Sequence, residues 1–442
     1  MNVISRVART AVVALLSLLC ITLVPVRGQD AAAGGAGGAQ KYTMAEYNAY
    51  QAAAAEKNPA AQLKLLDDFI SKYPNSALLN YIYPMYYKNY GGQKNFPKTI
   101  EYADKLIALG DKATPAEKND AYSVRAYAYN NISNPDADTA KAARAAALAA
   151  IKMVDTVPKP DTVDQAKFDE LKKQEVLFFN GTAANAAMAA KDYPGAIESY
   201  KVVLATTPDD LTSNYSLGKA YMALTPPQAL DALWYFARAA SSKSANEQQS
   251  KQVKSYVRKL LANYQGGTVC DALTDAELNE LLQLASSSVT RPATYKLYSS
   301  ADLVAAQKDM TIASVVTDLK AGGDKGKLTW TASCGLEFPD VPGKIIEVTP
   351  GTDSTQLKVA FVTSDAEFES ATTPNMDVKI VGQPDAAKLE KDNPVHVTGT
   401  LVSYDPDPAF MLHWDKAKVS DEDLPKAGKK PVAKKPVAKK PS

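Results

Sequence analysis

Histidine is almost missing from this 442-residue chain, which has two, and cysteine is hardly commoner at three. So few imidazoles and thiols leave little room for histidine-based acid–base chemistry or a zinc centre, both of which draw on several such groups. Beyond the first 28 residues no run is long and apolar enough to span a bilayer, which takes about 20 residues. Net charge is nearly absent as well, with 50 Lys and Arg against 49 Asp and Glu. The rest of the composition is ordinary: 46% hydrophobic and 22% charged residues exclude wholesale disorder and collagen-like structure. The length fits two to three domains.

The balanced total hides a separation. Residues 426–442 carry seven Lys and no acid, while the body from 29 to 424 holds 40 basic groups against 49 acidic ones, a net of −9. Dividing that body near Gly266 leaves the first part about neutral and the second at −12.

At the N-terminus Arg6 and Arg9 precede an apolar run from Ala11 to Val24 and then Pro25, the order of an export signal. Residues 1–28 are read as that signal, with cleavage after Gly28, which puts the mature chain in the periplasm or outside the cell with no transmembrane span. The alternative is an uncleaved inner-membrane anchor over residues 11–26, for which fourteen apolar residues from Ala11 to Val24 are short. Residues 29–41 form a Gly/Ala linker.

From residue 42 to 265 the text is rich in Ala, Tyr and Leu with helical periodicity, and it repeats. Ala184, Ala187, Ala196, Tyr200, Val203 and Pro208 take the small, small, small, aromatic, small and proline places of a 34-residue helix-turn-helix unit whose turn is Lys191-Asp192-Tyr193-Pro194. Gly218 and Tyr221 follow 34 residues after Ala184 and Ala187, and Ala232, Phe236 and Ala239 complete the next unit. Earlier stretches keep the pattern more loosely, around Phe69 and Tyr73-Pro74, then Tyr83, Tyr87, Thr99 and Ala103, for four or five helix pairs in all. Ser250 to Tyr264 reads as a closing amphipathic helix, with Val253, Tyr256, Val257, Leu260 and Leu261 on one face.

These landmarks resemble the tetratricopeptide repeat (TPR) family. The resemblance implies a helical solenoid whose concave groove binds protein segments, and on the two well-registered units it assigns Phe178, Asn185 and Met188, then Tyr215, Lys219 and Met222, to that groove. Met188 and Met222 can equally be packing residues, because Met fills irregular gaps. Gly218 and Tyr221 are expected at the helix contacts, with Tyr215 and Met222 pointing away from them.

Residues 266–300 read as a joint with a short helix from Thr274 to Ala285, where Thr274 and Glu277 have the spacing of a capping box. Residues 301–424 then form a small β-rich domain. A helix is expected over 301–318, followed by period-2 runs at 344–348, 357–362, 377–381, 395–404 and 410–419. Val395 to Val402, with Gly399 inside the strand, and Phe410 to Trp414 resemble the last hairpin of an OB-like β-barrel. The −12 charge argues against nucleic acid as its ligand, and protein contact or packing against the solenoid is the preferred reading. The fold class is therefore α+β: an N-terminal all-α TPR-like solenoid followed by a small C-terminal OB-like β-barrel.

Three chemical motifs are set aside. Ala321 to Leu328 imitates a phosphate loop, yet Ala321 and Leu328 replace the first Gly and the Ser/Thr, so it reads as a Gly/Lys turn. His396 and His413 read as barrel-surface residues, and Asp405, Asp407 and Asp421 to Asp423 as solvated turn carboxylates. No catalytic residue, metal ligand or cofactor is expected. Cys270 and Cys334 are the pair left after Cys20 leaves with the signal. They are either a disulfide clamping the end of the solenoid to the β domain or two buried free thiols. Residues 425–442 repeat Lys-Lys-Pro-Val-Ala, and Lys429, Lys430, Lys434, Lys435, Lys439 and Lys440 make an extended cationic tail suited to an anionic cell-envelope polymer or to service as a solubilising spacer.

The sequence thus points to a non-enzymatic exported bacterial scaffold whose groove takes protein partners. The alternative is an envelope-binding module in which the β domain or the tail holds glycan or another anionic polymer.

Overall fold

The computed structural model describes residues 42–425, so the export signal, the Gly/Ala linker and the Lys/Pro tail lie outside the described residues. The chain divides into two compact units between Ser250 and Lys251.

The first unit is built from helices alone: α1 (Met44–Ala55), α2 (Pro59–Lys72), α3 (Leu79–Gly92), α4 (Phe96–Ile107), α5 (Pro115–Asn130), α6 (Ala137–Val154), α7 (Gln165–Ala189), α8 (Tyr193–Thr206), α9 (Leu211–Met222) and α10 (Ala229–Ala240). Eight of these ten open on a Thr, Asn or Asp whose side chain accepts a hydrogen bond from the first turn, so most helix starts are set by local sequence. Consecutive helices pack as five hairpins, and among the first helices of the middle hairpins α3 also touches α5, and α5 touches α7.

The repeat landmarks are interior. Ala184, Ala187, Ala196, Ala232, Phe236 and Ala239 are fully buried, with Tyr200 and Tyr221 almost so. At Gly218 an added Cβ would stand 2.9 Å from the Phe236 ring, so only glycine lets α9 and α10 approach this closely. The turn before α8 recurs before α4. Lys94-Asn95-Phe96-Pro97 and Lys191-Asp192-Tyr193-Pro194 each place the Lys at positive φ, 59° and 60°, and each use the next residue as N-cap.

The second unit holds nearly all of α11 (Glu247–Tyr264), then α12 (Asp271–Ser287), α13 (Ser300–Gln307), α14 (Ile312–Ala321) and α15 (Gly323–Ser333). Several expectations are corrected here. The helix expected to close the solenoid belongs, after its first turn, to this second unit; Val253, Val257 and Leu261 are buried, whereas Tyr256 is exposed. Helix α12 starts three residues early, at the Cys270 cap, so Thr274 and Glu277 face the interior instead of forming a capping box. The single helix expected over 301–318 is two, broken before the Thr311 capping box that starts α14. The Gly/Lys segment is mostly helix α15, because only Gly322 and Gly323 take positive φ and the chain coils again at once.

Cys270 and Cys334 are bonded, with Cα atoms 5.6 Å apart. The bridge lies wholly inside the second unit, joining the start of α12 to the residue after α15, rather than clamping the first unit.

Five strands follow: β1 (Glu337–Pro350), β2 (Ser354–Phe361), β3 (Met376–Val381), β4 (Pro394–Asp405) and β5 (Met411–Val419), with the short helix α16 (Asp365–Ser370) between β2 and β3. Each of the five period-2 runs falls on one of these strands, with Val362 and Phe410 one residue outside β2 and β5. They close into a barrel in the order β1-β2-β3-β5-β4, antiparallel except for β3 beside β5, an arrangement that fits the OB-like expectation. Inward residues such as Ile345, Leu357, Val378, Val397, Leu401 and Leu412 alternate with outward polar ones, as a small filled barrel requires. At Gly399 an added Cβ would meet Ala417 at 2.8 Å, and the β4–β5 register shifts there, which is the bend expected of a glycine in this strand.

Candidate functional site

In the first unit the hairpins' first helices are tied to one another by polar side chains. Asn80 on α3 donates to Glu117 on α5 at 2.9 Å, and the Tyr87 hydroxyl donates to Asp120 at 2.5 Å. One hairpin further, Asn119 donates to Glu175 on α7 at 2.8 Å and Asn130 donates to Thr182 at 2.8 Å. These bonds fix neighbouring first helices in register through groups that are costly to leave unpaired when buried.

The six residues assigned to a groove fall on α7 and α9 in different situations. Lys219 is exposed, and Met188 and Met222 are half-buried. Asn185 accepts a hydrogen bond from the Tyr200 hydroxyl at 2.8 Å, so its carbonyl is engaged by the second helix of its own hairpin. Phe178 packs on Phe179, with ring centroids 5.6 Å apart, and on the Ala126–Ala147–Ala150 core. Tyr215 sets its ring edge-on to Phe236 at 5.2 Å, which corrects the expectation that it points away from the helix contact. A 12-residue helix placed this close to its partner leaves an aromatic at that position within reach of the shared core.

A cleft of about 450 Å³ lies nearby and was not anticipated. Val154 and Asp155 at the end of α6, Asp169, Lys172, Lys173, Val176 and Leu177 on α7, and Val202 and Thr206 on α8 enclose it. Its floor is apolar. Val202 is 44% exposed, large for an aliphatic side chain on a second helix. The rim is charged, with the Lys172 ammonium 2.7 Å from the Asp155 carboxylate and with Lys173 beside it. The cleft exists because α7 runs for 25 residues, so its first turns lie well ahead of the first repeat landmark, Ala184. The signal available in sequence was the Asp164 N-cap after Pro158 and Pro160, which places the helix start well ahead of the repeat frame.

On the outside of the barrel both histidines are held by carboxylates. His396 Nδ1 is 3.0 Å from Asp423, which also accepts from the His396 backbone N–H at 2.7 Å. His413 lies between Asp405, 2.8 Å from Nε2, and Asp377, 3.4 Å from Nδ1. Asp423 is therefore a largely covered partner of His396 rather than a solvated turn carboxylate, whereas Asp405 bonds His413 and stays exposed to solvent, as expected of a turn carboxylate. For Asp377 burial works to raise the pKa, but Lys358 at 2.7 Å and the Gln356 amide outweigh it and hold the carboxyl below its usual range.

Among the described residues no three His, Cys, Asp or Glu side chains converge as a metal site, and no helix is long and apolar enough to cross a membrane. The cationic residues Lys429, Lys430, Lys434, Lys435, Lys439 and Lys440 lie outside the described residues. No protein-family model and no curated protein sequence matches the chain.

Proposed function

We propose that the chain is a non-enzymatic adaptor, exported from a bacterial cell, whose helical hairpins form a TPR-like solenoid that takes extended segments of partner proteins. The observation that carries this reading is the cleft between α6, α7 and α8: an apolar floor wide enough for a side chain, under a rim of Lys172, Lys173, Asp155 and Asp169 able to meet a peptide's polar groups. Such a combination of apolar anchor pocket and polar rim is what peptide grooves use for affinity and orientation. Lys219 and the half-buried Met188 and Met222 supply further adaptable contacts on the first helices. The barrel is then an accessory module for protein contact.

The test is capture from native envelope extract at low and high salt, comparing the wild-type chain with Val202→Asp and Lys173→Glu. Val202→Asp should lose a salt-resistant protein partner while circular dichroism and melting temperature stay close to wild type, since Val202 is already open to solvent. An unchanged set of partners in both variants would rule out the cleft. The Lys-Lys-Pro-Val-Ala repeat supports a second reading, retention on an anionic envelope polymer, and salt-sensitive capture of polymer without protein would favour it.

A further inference from the structure

The interior of the second unit contains a carboxyl–carboxamide pair whose hydrogen bonds do not balance if the acid is ionised. Gln265, just past α11, and Glu277 on α12 are 1% and 2% exposed. The Gln265 amide N–H donates to Glu277 Oε2 at 2.6 Å. The two atoms left over, Gln265 Oε1 and Glu277 Oε1, are both buried without a partner. As a carboxylate and an amide carbonyl they are both acceptors and cannot bond each other. One proton on Glu277 Oε1 would turn it into a donor and give each of the two atoms the kind of partner it lacks.

We infer that Glu277 is a proton-binding site, held as the neutral acid in the folded chain and donating to the Gln265 carbonyl to close a two-bond acid–amide pair. The surroundings agree. Tyr295, with a buried hydroxyl lacking a partner, and Tyr298 face Glu277 from the loop before α13. Arg291, in the same loop, reaches Tyr295. Glu280 on the same helix adds a like charge. Of the two lysines on helix α15, Lys325 pairs with Asp318, and Lys327, which acts on Glu277, is 3.3 Å from Glu280 and so is shared with another carboxylate. Burial raises the Glu277 pKa more than Gln265 and Lys327 lower it.

The first unit shows the amide half of the same arrangement. Asn119 on α5 donates to the buried Glu175 on α7, and the Asn119 carbonyl is again buried without a partner. Asp120 is the charged group facing Glu175, and with burial it pushes that pKa up as well.

The sign of the consequence follows from linkage. A carboxyl whose folded pKa exceeds its unfolded value, 4.5 for Glu, adds stability that is complete below that value and is lost as pH rises through the folded pKa. Both units should therefore loosen on passing from mild acid toward neutral or alkaline pH, opposite to the trend set by ion-paired carboxylates such as Asp377.

The test uses the full chain labelled with ¹³C at the glutamate carboxyls. In the wild type two carboxyl resonances should stay in the protonated position to higher pH than those of the ordinary glutamates. Glu277→Gln should remove one and Glu175→Gln the other. Glu277→Gln preserves a two-bond amide pair, so the variant should fold and its melting temperature should fall less than that of wild type between about pH 5 and about pH 8. If every wild-type glutamate ionises with an ordinary midpoint, a result that needs no variant, the inference is overturned. It is equally overturned if the late-titrating resonances survive both substitutions.

Discussion

Tyr215 and Gly218 sit one turn apart on α9 and both meet the Phe236 ring, one with its own ring and the other by lacking a side chain. Truncating Tyr215 to Ala opens a gap beside a fully buried aromatic and should cost about 2 kcal/mol of stability, measured by urea denaturation. Gly218→Ala errs the other way, driving a methyl group into the Phe236 ring, and should cost about 1–3 kcal/mol unless the helices part. A variant of either residue that binds poorly is therefore uninformative about a groove until its stability is known. Val202 and Lys173 are better probes, because the first is partly open to solvent and the second lies on the cleft rim.

At the scale of elements, the bridge from Cys270 to Cys334 closes a loop with a sequence separation of 64 residues. By the loop-entropy account it contributes about 4 kcal/mol. Reduction should speed amide exchange across α12 and α15 and leave exchange in α1 to α10 unchanged; faster exchange throughout would mean that the two units unfold as one. Much of this architecture was legible in the sequence. The five strands were visible as alternation, since each has one buried and one wet face, and the hairpins as small residues and aromatics at fixed spacing. The errors arose where tertiary packing overrides a local signal. Thr274 and Glu277 carry the spacing of a helix cap, yet burying Glu277 beside Gln265 let α12 begin at Cys270. Gly322 and Gly323 look like a loop, and they supply only the turn that starts α15. The candidate cleft was hardly legible, because its walls come from three helices whose lengths, rather than motifs, decide where they meet.

For the molecule as a whole, charge is distributed by region rather than balanced locally. Seven Lys in residues 426–442 follow a stretch carrying −12. Deleting residues 426–442 should leave both folded units intact and reduce retention on anionic envelope material at low salt. The difference should fade as the screening length shrinks from about 10 Å at 0.1 M to about 3 Å at 1 M salt. Equal retention of both forms at both salt levels would leave the segment as a spacer. Closure of the barrel has a further effect, on the order of events in time. Strand β1 must pair with β4, so Phe338 waits for Gly399 and Val341 for Val397, whereas each helical hairpin is complete within a few tens of residues. Contacts between sequence neighbours form fast and those across long separations slowly. A chain delivered N-terminus first therefore has its hairpins assembled while the barrel is still an open sheet, with β1 and β3 showing unpaired edges until β4 and β5 arrive. During that interval the half-made barrel is the part of the molecule most exposed to pairing with the wrong strand.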